Sequence, residues 1–521
     1  MRELPVVIVG GSLVGLTLSA LLADQRVPHL LIERHAGTAI HPRAASFHQR
    51  TMEIFRGLGL QAAVEAVAAR EFIQNGAIVA VDSLAGRELA CFYRSVNQGV
   101  EGLSPTSRLF ITQVGLEPLL RARAAERGAE HRFATELLSF TQDADGVTVR
   151  LRAREGGDEE QVRARYLVAA DGAHSPIRHA LGIEMAGRGS FADCATIYFK
   201  ADMRALIGGR ALSVVYVNRA DQLSFFRFAI AEDAGFLAVF ATFDGEGRRE
   251  SHAGKRLTTV RCAALVRAAL GVSDDHPVEI ENVQYWNAMA DTAATFRNGR
   301  IFLAGDAAHV MPPTGGFGGN TGVGDAHNLA WKLAMTVRGE AGDALLDSYD
   351  AERRPIARLI VEQAYARYVA RVDSSLPSAN LAPMLDDAAI ELGTIYRSAC
   401  VIDDGSVPPG PLDDPYAPSA APGTRIPHIR LGAGDSDAST LDLAGRGFVL
   451  ASADDRWLDA AAGLETHEVD GSIAALLGIG AEGALILRPD GVIGWRARES
   501  AADPQATLAR AMARLTGRAS A

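Results

Sequence analysis

Pro5-Val6-Val7-Ile8-Val9-Gly10-Gly11-Ser12-Leu13-Val14-Gly15 is an apolar run that breaks into a glycine-rich turn. Val6 to Val9 carry no charge and are β-branched throughout, the pattern of a strand buried on both faces. Leu16 to Ala23 has helical composition, and His29-Leu30-Leu31-Ile32 is a second apolar strand that ends at Glu33. Strand, turn, helix and strand make a βαβ unit. Gly10 permits the tight turn, and Gly15 lets helix and strand pack closely. Ser12, Leu13 and Val14 stand at the helix N-terminus, where free amides and the helix dipole favour a pyrophosphate. Glu33 lies about 20 residues beyond the first glycine, as expected of an acid that accepts from ribose hydroxyls. Ser12 replaces the motif's second glycine, so backbone approach is slightly less free there. Arg34 adjoins the acid, and Arg43 and Arg50 follow as cations able to pair with a pyrophosphate or an anionic substrate.

Two further segments end strands in an acid and a glycine. Tyr166-Leu167-Val168-Ala169-Ala170 runs into Asp171-Gly172, a polar turn suited to a cofactor beside a nucleotide fold. Arg300-Ile301-Phe302-Leu303-Ala304 runs into Gly305-Asp306 and on through Pro312-Pro313-Thr314-Gly315-Gly316-Phe317-Gly318-Gly319-Asn320. Ala326, Leu329, Ala330, Leu333, Ala334 and Val337 then repeat at helical spacing, which sets Gly315 to Asn320 at a helix N-terminus. Asp306 is placed to accept from a hydroxylated chain, and the loop amides to stabilise an anion. Helices are also expected near 51–58, from Gln113 to Arg123 with Gln113 as a further cofactor contact, and from about Leu345 to Val372.

Between these segments the composition changes. From 190 to 290, aromatic and β-branched residues alternate with polar ones, as in an antiparallel sheet. Tyr216, Phe226, Phe228 and Phe240, with Pro313, are candidate walls for a flat apolar ligand. The expected layout is a Rossmann-like α/β domain over 1–189 and 291–372, the latter with a long helix. A sheet domain over 190–290 takes a contribution from 75–110, a Pro/Gly/Asp-rich linker covers 373–430, and a small α/β domain covers 431–521. In that last domain the stretches 440–450 and 484–495 read as strands, and Pro504 to Leu515 as a helix.

The chain has 521 residues and a formal net charge of -11, a balance that argues against non-specific nucleic-acid binding. No apolar run is long enough to span a membrane, and the N-terminus passes straight into a strand, so a cytoplasmic location is expected. The four cysteines are scattered without CxxC or zinc spacing, and no metal site is expected.

The three glycine-bearing segments, with Asp325-Ala326-His327-Asn328-Leu329-Ala330-Trp331-Lys332-Leu333, Glu352-Arg353-Arg354-Pro355 and Arg488-Pro489-Asp490-Gly491, make the chain resemble the FAD-dependent aromatic hydroxylases. Within them it looks most like the bacterial polyketide-tailoring hydroxylases. The resemblance implies bound FAD, a transient NADPH or NADH reductant and dioxygen as co-substrate. It implies a C-terminal domain of thioredoxin-like fold, here lacking CxxC. It implies that the cofactor supplies the oxygen chemistry and that one oxygen is delivered to the ring of a polycyclic phenol or quinone. Pro312 would shape the reacting side and the Gly315 amide region would stabilise negative charge on the flavin. Arg367 and Arg371, one turn apart, are either solvated charges or the cations that stabilise a phenolate. Baeyer–Villiger insertion or oxidative decarboxylation on the same scaffold, and a flavoprotein that sequesters an intermediate without oxygenating it, remain open. So does the choice between monomer and homodimer.

Overall fold

The computed structural model describes residues 1–40, 45–250, 256–431, 438–461 and 463–518. Val6, Val7 and Ile8 are fully buried in Arg2–Val9, the middle strand of a mainly parallel sheet. The main order across it is Arg297–Asn298, Ile301–Leu303, Glu160–Ala169, Arg2–Val9, His29–Ile32 and Glu130–Arg132, the first antiparallel to its neighbour and the rest parallel, while the hairpin Thr135–Gln142 and Val147–Ala153 joins Glu160–Ala169 antiparallel. Helices cover it: Leu13–Asp24 lies between Gln113–Glu126 and Phe317–Val337.

A second sheet has eight strands. Met185–Lys200 and Glu279–Ala293 form its long antiparallel centre, flanked by Ala234–Thr242, Gln222–Phe228 and Leu212–Asn218. Ala77–Val81 joins in parallel beside Leu212–Asn218, and Glu88–Tyr93 forms the edge. One face packs on helix Thr259–Leu270 through Cys262, Leu265, Val266 and Leu270. The other faces the 28-residue helix Ala344–Arg371 through Tyr368. At the opposite edge from Glu88–Tyr93, His309–Val310 pairs with Asp291–Thr292. The chain thus leaves the parallel sheet, adds a short strand to the aromatic sheet, and only then enters the loop 311–316.

The C-terminal sheet has the order Glu465–Glu468, Val449–Ser452, Ala484–Leu487, Ile493–Ala497, the first pair parallel and the others antiparallel. Helices Asp455–Ala460, Gly471–Leu476 and Pro504–Leu515 complete it. Trp457, Trp495 and Leu515 share a core with Trp331, Met335 and Leu345 of the two long helices, which seats this unit on the first.

The 373–430 segment, read as a linker with short ordered pieces, carries helix Asp387–Leu392 and buries Ile390, Ile395, Cys400, Ala421 and Ile426. One expectation needs correction. The 440–450 stretch is strand only from Val449, because Ser439 and Asp442 form a reciprocal cap on a short 3-10 turn at Thr440–Leu443.

Candidate active site and cofactor cleft

Strand register assembles the site. Val9 lies beside Ile32 on one side and Ala169 on the other, and Ala169 lies beside Leu303. Four parallel strands therefore end level, and the Gly10 turn, Glu33, Asp171-Gly172 and Gly305-Asp306 emerge at one sheet edge. Ligands of open parallel sheets bind at this carboxyl edge.

The first turn is fixed by close approach. A Cβ on Gly10 would lie 2.1 Å from the Ala170 carbonyl oxygen, and one on Gly15 would lie 1.9 Å from the Gly10 oxygen. Ser12, the N-cap, makes no side-chain cap, so the amides of Leu13, Val14 and Gly15 face outward from an uncapped helix. Its hydroxyl donates instead to Glu117 Oε1 at 2.6 Å, and Gln113 Nε2 donates to both Ser12 Oγ (3.2 Å) and Glu117 (3.0 Å). Gln113 thus supports the turn from behind through a glutamate that the sequence reading missed. Glu33 accepts from the Gly11 amide at 2.6 Å and the His35 amide at 2.8 Å. A carboxylate has about four lone-pair sites, so two hydroxyls can still be accepted. Arg34 is exposed and donates to His35, and Arg43 lies outside the described residues. Arg50 is corrected: it pairs with Glu53 at 2.8 Å and reaches the Asp490 carbonyl, away from the nucleotide turn.

At the second turn, Asp171 Oδ2 accepts from the Ile177 amide at 3.3 Å, whereas Oδ1 is buried with no partner. Burial pushes this carboxyl above its usual value, against hydrogen bonds from Ser175 and Ile177. Arg178 is anchored to the Ala307 and Ala173 carbonyls, and its Nε is also unpartnered. At the third, Asp306 is exposed although Gly305 and Ala307 beside it are buried. Gly305 donates its amide to Asp325 at 3.0 Å, and Asp325 also holds His309 (2.7 Å) and Arg353 (2.8 Å).

The loop that follows is held from several sides. Pro312 is buried and Pro313 exposed. Thr314 donates to the Ala364 carbonyl at 2.6 Å. Gly315 and Gly316 have φ of +88° and +69°, a left-handed pair that side chains resist. Helix Phe317–Val337 then starts without a side-chain cap, so the amides of Phe317, Gly318 and Gly319 stay free of intrahelical acceptors. The Asn320 side chain is consumed by the protein: it accepts from His48 N and Thr51 Oγ1 and donates to the Ser46 and Gly316 carbonyls. Its role is to brace the loop. These features fit FAD: an orphaned buried carboxylate oxygen at the second turn, two uncapped helix N-termini, and an exposed acid between buried neighbours.

The aromatic wall is partly corrected. Tyr216 and Phe240 share a face with Phe225, Phe92, Trp286 and Tyr368. Phe226 and Phe228 point to the opposite face and pack with Val215, Leu237 and Val266. Alternation along the strand puts Phe225, not Phe226, on the open side. Arg371 stacks 5.1 Å from the Phe92 ring centroid, and Phe92 meets the Tyr216 ring edge-on at 5.8 Å. Burial pushes the Tyr216 phenol up, and the Arg371 charge pulls it back. Arg367 is buried and occupied: it pairs with Asp387, whose other oxygen takes the Tyr93 hydroxyl, and with Gln363. Of the two arginines, Arg371 faces the aromatic pocket and Arg367 secures the helix to the 387 segment.

The remaining motif residues build a seam. Glu352 accepts from Lys332 Nζ (2.7 Å), Asn328 (2.7 Å), Ser398 (2.7 Å) and both terminal nitrogens of Arg488 (2.8 and 2.9 Å). Arg488 also pairs with Asp490 at 2.6 Å. The four ionic side chains are buried, and they tie the C-terminal sheet to the long helices.

Residues 3–364 match the family described as FAD binding domain, and residues 419–519 match the family described as aromatic-ring hydroxylase, C-terminal. The chain is 46% identical to 4-methyl-5-nitrocatechol 5-monooxygenase of Burkholderia sp, over 98% of this chain and 97% of that one. It is 38% identical to tetracenomycin B2 monooxygenase-dioxygenase of Streptomyces olivaceus, over 99% of each. Among solved structures, a ternary complex of aklavinone-11 hydroxylase with FAD and aklavinone superposes with a TM-score of 0.91 at 33% identity, over 99% of each chain. The chain belongs to the FAD-dependent aromatic-ring hydroxylases.

Proposed function

We propose that this enzyme uses NADPH or NADH and dioxygen to hydroxylate a phenolic polycyclic aromatic of the polyketide kind, in secondary-metabolite biosynthesis in the cytoplasm. The observation that carries the proposal is Arg371 stacked on Phe92, which packs edge-on against Tyr216, on an aromatic face whose edge strand leads directly into the glycine loop. Bound FAD supplies the oxygen-transfer chemistry. The chain's residues supply the rest. The amides of Leu13 to Gly15, with Glu33, Asp171 and Asp306, hold the cofactor's polar groups. The amides of Phe317 to Gly319, free at an uncapped helix N-terminus, would stabilise negative charge on a bound flavin. Tyr216 and Phe240 hold the substrate ring, joined by Phe225. Arg371 stabilises a phenolate and so raises the electron density of the ring carbon to be hydroxylated. Pro312 and Pro313 shape the wall beside it and exclude water.

The domain reading is part of the proposal. Residues 1–189 and 291–372 form the FAD domain, with the sheet domain inserted between them. The C-terminal unit is thioredoxin-like, as its second-first-third-fourth strand order with one parallel pair supports. Without a CxxC it has no dithiol chemistry.

A second reading is a single-ring catechol or nitrophenol. Phe191 interlocks with Tyr365 and Tyr368 at centroid distances of 5.0 and 5.1 Å, and Tyr368 with Phe240 at 5.3 Å, which narrows the space between sheet and long helix. The 46% identical relative carries a nitrocatechol in its name. The test is turnover of a panel of polycyclic phenols and nitrocatechols with NADPH, with products resolved by mass and NMR. One added oxygen on an intact ring supports hydroxylation, and a lactone overturns it in favour of ring insertion. Turnover confined to one-ring compounds overturns the polycyclic substrate.

A further inference from the structure

His48 lies immediately behind the glycine loop. Its backbone amide donates to Asn320 Oδ1 at 3.0 Å, and its ring meets Phe317 edge-on at 5.4 Å. Nε2 lies 3.1 Å from the Gly315 carbonyl oxygen. A carbonyl only accepts, so Nε2 carries the hydrogen. Nδ1 lies 3.9 Å from Glu391 Oε1, a carboxylate held in turn by Arg108 at 2.9 Å. Nε2 is therefore the donor to the loop, and Nδ1 lies beyond hydrogen-bond distance of the carboxylate. The same peptide group is fixed from its other side, because Gly316 N donates to the Pro313 carbonyl at 3.0 Å.

The imidazole also borders a small cavity lined by Phe317, Asn320 and Thr321 of the glycine-loop helix.

We propose that His48 is a positioning residue that fixes the glycine loop, through its hydrogen bond to the Gly315 carbonyl, in the conformation that would hold FAD on the loop's opposite side. The proposal rests on FAD lying against that loop.

The test compares wild-type protein with His48→Phe, which keeps the ring against Phe317, and His48→Gln, which keeps an N–H donor toward Gly315. FAD dissociation constants come from flavin fluorescence. His48→Phe is expected to bind FAD ~10-fold more weakly and His48→Gln within ~3-fold of wild type. Equal weakening by Phe and Gln overturns the positioning role. Failure of wild-type apoprotein to bind FAD would defeat the cofactor assignment itself, a separate outcome.

Discussion

The cofactor cleft and the C-terminal seam treat buried charged groups in opposite ways. At the cleft, Asp171 Oδ1 and Arg178 Nε have no partner and two helix N-termini stand uncapped. At the seam, Lys332, Glu352, Arg488 and Asp490 are each ion-paired. An unpaired buried polar group costs about 1–3 kcal/mol, which a bound ligand would offset at the cleft. A buried charge network fixes geometry and exposes nothing for chemistry. The difference separates residues reserved for FAD from residues that hold the molecule around it, although both kinds sit in the motifs that identify the family.

The strongest way to break this contrast is Glu352→Ala. It leaves Lys332 and Arg488 buried against a missing anion, and chemical denaturation is expected to show a loss of about 3–5 kcal/mol. A loss below about 1 kcal/mol would mean that the seam is hydrated and the contrast false. Acid tests a neighbouring contact. Burial pushes the Glu53 carboxyl up, but Arg425 and Arg50 outweigh it and hold the group at about 2. A carboxyl depressed in the folded state contributes stability above its ordinary range, which disappears as pH falls through the folded value. Stability is therefore expected to fall by about 3 kcal/mol between about pH 4.5 and about pH 2, and the Glu53→Gln variant should lack that portion of the slope.

At the cleft the order of effects reverses. Asp306→Ala should leave the melting temperature of apoprotein unchanged within error and weaken FAD binding by about 10–100-fold, measured by fluorescence titration. A fall in melting temperature with unaltered FAD affinity would assign Asp306 to the fold. The smallest effect is expected from Arg56→Met. Its bidentate pair with Asp442 joins the same two parts of the molecule but is solvent-exposed, and its loss should cost less than about 1 kcal/mol by denaturation.

The cleft was the more legible region because it is made from backbone. Gly10, Gly15, Gly315 and Gly316 are required by close approach or left-handed turns, and strand-terminal acids follow at set spacing. The aromatic face was legible as a sheet but not in phase. A period of two leaves each strand with two equivalent sides, and the register shift between Leu223 and Ser224 removes any simple count from neighbouring strands. Phe225 and Phe226 are equal in the sequence and opposite in the fold. The seam residues stood out as motifs, yet their partners are assembled from distant segments, so their structural role appeared only in three dimensions. His48 with Glu391, and Ser12 with Glu117, are pairs of the same long-range kind.

Hydrogen exchange of apoprotein and FAD-loaded protein, compared amide by amide, tests most directly that the level strand ends and two helix N-termini form the FAD site. Protection on loading is expected at Leu13 to Gly15, at Gly172 and at Phe317 to Gly319, with no change across Asn328 to Lys332 and Arg488 to Gly491. Protection concentrated at the seam, with the two helix N-termini unchanged, would contradict it.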